Sequence, residues 1–247
     1  MDDPSDIATA RRLIARQFPH LENETVSPVQ SDGTDNAIFR IGERFAARLP
    51  RNARAAMTVA GEQSCLERLS ALPLACPKLV GRGEPDGEFV WPWSLVEWIE
   101  GEPAMADRIS DFDAAARALA EFLNAVRALD ATGIPPAGAS NGYRGAPLQL
   151  RHELFVRALP DISDICDTLR LAQIYEASCA APDWAGPARL IHGDLHGANL
   201  LVREGQMVGV IDFGLAASGD PACDLLPAWW LLPATARPIL RDHVELD

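Results

Sequence analysis

Two short apolar runs, each leading into an aspartate, constrain this chain more than any other feature. The first, Arg189–His192, passes through Gly193 to Asp194 and a polar turn, Leu195-His196-Gly197-Ala198-Asn199. A second β segment, Leu200–Val202, reverses at Glu204-Gly205 and returns as Met207–Asp212, ahead of Phe213-Gly214. A hairpin of this length brings Asn199 and Asp212 close together, and Asp194 projects from the loop beside them. Two carboxylates and a carboxamide at strand ends form an oxygen-rich site that suits a hard divalent cation, above all Mg²⁺ with phosphates as further ligands. Taken singly, each residue has an ordinary structural role: Asp194 as a turn cap, Asn199 on a loop backbone, Asp212 at a hairpin end. The joint spacing is what favours a site.

The preceding segments run from β-rich to helical. Residues 5–18 place Ile7, Ala10, Ile14 and Phe18 on one helical face, with Ser5 as the expected cap. Strands are expected at Thr25–Gln30, Asn36–Ile41 and Arg44–Leu49, the last two joined at Gly42-Glu43. Ala53–Leu72 reads as a helix with Val59, Cys65, Leu66 and Leu69 inward. Strands at Leu79–Gly83 and Ser94–Glu100 flank a Pro85-Asp86-Gly87 turn. From Asp111 onward, Phe112, Ala115, Ala116, Leu119, Phe122, Leu123, Val126 and Leu129 recur at helical spacing. The Gly/Pro-rich stretch 132–147 reads as a long loop or lid, followed by helices near 148–158 and 162–180. The expected fold class is α+β and bilobal. A small β-rich lobe with one main helix covers residues 1–100, and a larger, mostly helical lobe covers 101–247.

Charge narrows the function classes. The net charge of -13 leaves no basic surface to offset phosphate repulsion, which excludes a nucleic-acid partner. An acidic second half would favour a cationic small-molecule partner, although general solubility explains it equally well. No run approaches the roughly 20 apolar residues that span a bilayer. The start, Met1-Asp2-Asp3-Pro4-Ser5-Asp6, is acidic and unlike a signal peptide, so the expectation is a cytoplasmic protein without membrane partners. Cys65, Cys76, Cys166, Cys179 and Cys223 show no metal-ligand spacing and read as buried free thiols.

The pattern His192-Gly193-Asp194-x₄-Asn199, followed by Ile211-Asp212-Phe213-Gly214, resembles the paired catalytic motif of the aminoglycoside phosphotransferase and choline kinase superfamily. That superfamily is a small-molecule branch of the protein-kinase-like fold; protein kinases carry His-Arg-Asp where Gly193 stands here. The resemblance extends over about residues 25–232. It implies a kinase-like bilobal fold, ATP or GTP as co-substrate and Mg²⁺ as metal. Position by position it implies that Asp194 is the catalytic base and that Asn199 and Asp212 bind the metal. Gly219-Asp220-Pro221-Ala222-Cys223-Asp224-Leu225 is similar to the family's following segment, which implies that Asp224 braces the catalytic loop. His192 reads as structural, and His196 as a loop residue near the phosphates.

The same resemblance implies a nucleotide clamp in the first lobe. Ser31-Asp32-Gly33-Thr34-Asp35-Asn36 stands where the fold has its phosphate-covering loop, and Ser31, Gly33 and Thr34 are its candidate contacts; an ordinary hairpin turn is the alternative. Arg48 occupies the place of the usual phosphate-holding lysine. The chain's single lysine, Lys78, lies beyond the following helix. Arg holds phosphates bidentately and keeps its charge, but the two residues are not interchangeable. Glu62, or less favourably Glu67, is the partner carboxylate, with a surface ion pair as the alternative for both. Backbone groups of Glu97, Trp98 and Ile99 would meet the adenine edge. Trp91 and Trp93 read as core aromatics.

The expected activity is phosphoryl transfer from ATP or GTP to a hydroxyl of a small molecule. An aminoglycoside-like antibiotic is the first choice of acceptor; a macrolide, choline-like or sugar-like acceptor is the second. A catalytically inactive nucleotide-binding scaffold is the reading of another class, kept open by Arg48 and by an acceptor pocket expected to be shortened by the end at Asp247. A protein kinase is disfavoured, because no Ala-Pro-Glu motif and no long activation segment follow Asp212.

Overall fold

A computed structural model of the protein describes residues 6–30 and 35–245. The first helix, α1 (Ile7–Gln17), is capped by Asp6, whose carboxylate accepts from the Thr9 amide at 2.7 Å. The expected cap, Ser5, lies outside the described residues. Five antiparallel strands follow: β1 (Val26–Pro28), β2 (Asn36–Ile41), β3 (Phe45–Pro50), β4 (Leu79–Gly83) and β5 (Trp93–Glu97), in spatial order β1-β2-β3-β5-β4. Ala10, Leu13 and Ile14 of α1 pack with Phe39, Ile41, Leu49, Trp93 and Leu95 of the sheet to form one core. Trp93 is fully buried, as expected for a core aromatic.

Between β3 and β4 runs α2 (Ala53–Leu66), capped by the Asn52 side chain, which accepts from the Ala55 amide at 2.9 Å. It stops earlier than the expected Leu72, although Leu69 is still buried. Its inner face carries two polar residues, Glu62 and Gln63. A buried amide needs partners. Gln63 donates to the Trp93 carbonyl and Ser94 Oγ, both at 3.0 Å, and accepts from Arg82 at 2.8 Å. The side of α2 facing the sheet is thereby fixed in rotation.

The second part of the chain holds β6 (Glu102–Pro103), α3 (Phe112–Arg127), α4 (His152–Ala158), α5 (Thr168–Cys179), β7 (Arg189–Ile191), β8 (Leu200–Arg203), β9 (Gln206–Val210), β10 (Ala217–Gly219), α6 (Pro227–Trp230) and α7 (Arg237–His243). Helix α3 is capped by Asp111 and buries Ala115, Ala116, Leu119, Ala120, Phe122, Leu123 and Val126, the face its periodicity predicts. Burying each large side chain contributes about 1.5–3 kcal/mol. A second core gathers this face with Leu190, Leu200, Val210 and Phe213, and it also takes in Ala46, Cys65, Leu66 and Val96 from before Gly101. The two halves therefore share apolar packing beneath the site.

Strands β6-β8-β9 form one small sheet, and β7 pairs antiparallel with β10 in another. Leu200 faces Val210 across the β8–β9 hairpin, which turns at Glu204 and Gly205 with φ of 53° and 80°. The stretch 132–147 is not a free lid. Ala137 N donates to the Ser218 carbonyl, Ser218 N to the Pro135 carbonyl and Asp220 N to the Gly145 carbonyl, at 2.8–2.9 Å. These bonds strap the segment to the chain that follows Phe213-Gly214. Helices α4 and α5 bury no residue, and they meet through a stacked Phe155–Tyr175 pair with ring centroids 4.0 Å apart. Among the described residues no helix is long and apolar enough to cross a membrane. All five cysteines are free, but only Cys65 is buried as expected; Cys76, Cys179 and Cys223 are partly exposed, and Cys166, between α4 and α5, which bury no residue, is exposed. Burial pushes the Cys65 thiol up to about 12.

Candidate active site

The site is built on the turn that follows β7. Gly193 has φ of +80°, and a Cβ there would collide with the Leu215 carbonyl oxygen, so only glycine fits between the two loops. Asp224 spans this turn from beneath, accepting from the His192 amide at 2.7 Å and the Gly193 amide at 2.9 Å. Burial pushes the Asp224 carboxyl up, while those two amides oppose the shift. The His192 ring is fully buried. Its Nε2 donates to the Ile211 carbonyl at 2.9 Å and its Nδ1 accepts from the Asp194 amide at 3.2 Å, which assigns the neutral Nε2–H tautomer. His192 thus ties the first motif to the second and is structural, as expected.

Hydrogen bonds to backbone carbonyls hold the segments that carry these three oxygen-bearing residues together. Asn199 Nδ2 donates to the Asp194 carbonyl at 2.9 Å, and the Ile211 amide donates to the Asn199 carbonyl at 2.9 Å. Asp212 is therefore one residue from a strand bond that holds Asn199. No hydrogen bond among the described residues engages Asn199 Oδ1, so that oxygen is available to a ligand. Asp212 adopts φ of +64°, a left-handed conformation that costs a non-glycine residue about 1–3 kcal/mol. Its Oδ1 accepts from Arg48 at 2.8 Å and from the Gly214 amide at 3.3 Å. The side chain stays 43% exposed to the cleft despite lying between the lobes. An amide oxygen beside a partly open carboxylate is a donor set that fits Mg²⁺.

Arg48 projects from β3 between two carboxylates. Its Nη2 lies 3.0 Å from Glu62 Oε1 and 2.8 Å from Asp212 Oδ1. Burial works against the charge of Arg48, but Asp212 and Glu62 together raise its pKa above the ordinary value. Burial pushes the Glu62 carboxyl up in spite of Arg48. Burial also opposes ionisation of Asp212, yet the Arg48 charge beside it and the Gly214 amide hold its pKa below the ordinary value. Arg48 Nε is buried with no partner among the described residues, a donor that a phosphate oxygen would satisfy. Glu67, the alternative partner, instead pairs with Arg82 at 2.7 Å. Lys78 lies on the surface beside Glu97, 3.4 Å away, far from this role.

Between the lobes, the Glu97 amide donates to the Lys78 carbonyl at 2.9 Å and the Trp98 amide to the Arg44 carbonyl at 2.8 Å. Both amides are consumed by the sheet. Of the three expected adenine-contacting residues, only Ile99 keeps an amide with no hydrogen-bond partner among the described residues. The Trp98 ring instead packs under Arg40, whose guanidinium carbon lies 4.8 Å from the ring centroid. Ser31, Gly33 and Thr34 lie outside the described residues. His196 caps the turn Gly197–Asn199, with Nδ1 accepting from the Ala198 amide at 3.2 Å, and its Nε2 is 3.6 Å from Asp194 Oδ2.

The sequence reading missed one charged neighbour of Asp194. Arg144 Nη2 lies 3.1 Å from Asp194 Oδ1. Arg144 comes from the strap, fifty positions earlier in the chain. The available signal was its setting, Asn141-Gly142-Tyr143-Arg144-Gly145, a cation between two glycines inside the Gly/Pro-rich loop.

The profile of a phosphotransferase enzyme family matches residues 25–245. No curated protein sequence matches the chain. Among solved structures, the GDP and kanamycin complex of APH(2")-IIia is similar at a TM-score of 0.72 and 22% identity, over 96% of this chain and 83% of that one. The apoenzyme of macrolide 2'-phosphotransferase MphH from Brachybacterium faecium is similar at 0.65 and 22%, over 97% of this chain and 82% of that one. ADP-bound aminoglycoside phosphotransferase APH(2'')-Ib gives 0.65 and 17%, over 94% and 81%. These likenesses show the α+β, kinase-like fold expected from the sequence, and the family match runs through both motifs and Asp224. The chain belongs to the phosphotransferase enzyme family, and it is a phosphotransferase.

Proposed function

We propose that the enzyme moves the γ-phosphoryl group of ATP or GTP to a hydroxyl of an aminoglycoside-like antibiotic. The observation that carries this reading is the convergence of Asp194, Asn199 and Asp212 with a buried Arg48–Glu62 pair. A protein that only bound nucleotide would need no carboxylate where Asp194 stands. The similar structures hold GDP with kanamycin, or ADP, which supports both the nucleotide and the acceptor class.

In this reading residues 1–100 clamp the nucleotide and residues 101–247 supply catalysis and the acceptor surface. Arg48 holds phosphate oxygens and is itself held by Glu62. Ile99 N–H reads the adenine edge together with carbonyls of Glu97 and Trp98, and Ser31, Gly33 and Thr34 cover the phosphates. Asn199 Oδ1 and Asp212 would hold Mg²⁺, which when bound neutralises charge on the phosphates. Asp194 orients the acceptor hydroxyl and accepts its proton as the new O–P bond forms. The bond from the γ-phosphorus to its bridging oxygen breaks, and the nucleoside diphosphate leaves.

A macrolide is the second reading of the acceptor, favoured by the likeness to MphH, which is of the same identity as the likeness to APH(2")-IIia. The test is incubation with Mg·ATP or Mg·GTP and a panel of kanamycin, gentamicin, streptomycin and a macrolide. Mass spectrometry should show one phosphate added to an aminoglycoside. Addition to the macrolide alone would replace the first reading by the second. No product and no nucleoside diphosphate with any acceptor would overturn both.

A further inference from the structure

We propose that Arg144 is a positioning residue for Asp194, a fixed cation that holds the carboxylate in the orientation the acceptor hydroxyl meets. This rests on the reading of Asp194 as the catalytic base. The contact joins Arg144 Nη2 and Asp194 Oδ1 at 3.1 Å, and the two side chains are each a little over one quarter exposed. An ordinary surface pair at that distance would contribute little. The difference here is that the strap fixes where the guanidinium stands.

That fixation is built from Asn141, which is buried. Its Oδ1 accepts from the Gly138 amide at 3.0 Å, and its Nδ2 donates to the Arg144 carbonyl at 2.8 Å and the Leu215 carbonyl at 3.4 Å. The Tyr143 amide donates to the Gly138 carbonyl at 2.7 Å, and Arg144 Nη1 donates to the Asn141 carbonyl at 3.3 Å. Tyr143 is held at φ of 59°, between Gly142 at 66° and the Gly145 turn at 75°. Such a run of left-handed residues persists only where its surroundings impose it. The Gly145 carbonyl then takes the Asp220 amide, four residues ahead of the Asp224 brace. One segment thus grips the loop after Asp212 and presents a guanidinium to Asp194. Among the described residues Asp194 has no other cation beside it except His196, when that ring is protonated.

Phosphoryl transfer depends on placement, and a misplacement near 1 Å can cost about a hundredfold in rate. Arg144→Ala should therefore lower kcat by about 10–100-fold while leaving the KM for Mg·ATP within about twofold, because Arg144 touches none of Arg48, Glu62 and Asp212. Arg144→Lys should recover part of the loss, since it restores the charge but not the planar donor. Added methylguanidine should raise the kcat of Arg144→Ala and leave the wild-type enzyme unchanged.

The assay follows nucleoside diphosphate release from Mg·ATP with kanamycin and with water alone, in wild type, Arg144→Ala, Asp194→Ala and the double variant. The double variant should be no slower than Asp194→Ala, because Arg144 acts through that carboxylate. Full turnover by Asp194→Ala would sink the base assignment and this inference with it. An inactive Asp194→Ala beside an Arg144→Ala within twofold of wild type would overturn the inference alone. A loss in Arg144→Ala that follows a lowered Tm and is not restored by methylguanidine would also overturn it, as the mark of a merely structural strap.

Discussion

Replacing Arg48 by alanine tests the buried charge arrangement directly. The Arg48 side chain is 12% exposed and that of Glu62 only 6%, so its removal strands Glu62 in a site that water barely reaches. Breaking a buried pair by deleting one partner costs about 3–5 kcal/mol, most of it from the charge left behind. Asp212, at 43% exposure, adds little to that sum because solvent screens it. For a chain of this size each kcal/mol moves Tm by about 2–4 °C, so Arg48→Ala should lower Tm by about 6–20 °C. Two controls identify the cause. Adding Glu62→Gln should return more than half of the loss, since the stranded charge is gone. The loss should also shrink as pH falls. Glu62 has a folded pKa above its unfolded one, so its ionisation at neutral pH opposes folding, and protonation as pH drops through the raised value relieves that penalty. Denaturant unfolding of wild type, Arg48→Ala and the double variant at pH 5 and pH 8 measures both effects. Equal losses in the single and double variants, or a loss independent of pH, would refute the argument. Kinetically, the same substitution should raise the KM for Mg·ATP.

Three further outcomes follow from the site. Asp194→Ala should reduce transfer by about 10²–10⁴-fold, measured as nucleoside diphosphate release, with Mg·ATP binding by calorimetry nearly unchanged. Asp212→Asn should instead weaken Mg²⁺-dependent nucleotide binding, and the deficit should narrow at raised Mg²⁺; unchanged affinity would remove the metal assignment. Asp224→Ala leaves the His192 and Gly193 amides without acceptors, at about 1–3 kcal/mol each, so it should lower stability and activity together without contacting substrate.

Much of the architecture was legible because it is local. The α3 face follows from apolar spacing over a single helix, and the β8–β9 hairpin from its Glu204-Gly205 turn. The reading failed where ends and loops depend on neighbours. Helix α2 ends before Leu72, and the Gly/Pro-rich stretch 132–147 proved to be pinned by backbone bonds to Ser218 and Asp220. Glu62 and Glu67 were both candidates, and only packing separated them, since Glu67 points to Arg82.

The sequence by itself determined the chemistry available around Asp194, because the spacing of His192, Asp194, Asn199 and Asp212 sets which groups a short hairpin must bring together. Tertiary structure decided which charges stand against them. Arg48 reaches Asp212 across 164 positions and Arg144 reaches Asp194 across fifty. No local pattern encodes such distances; they arise only when the sheet, the strap and the two cores pack.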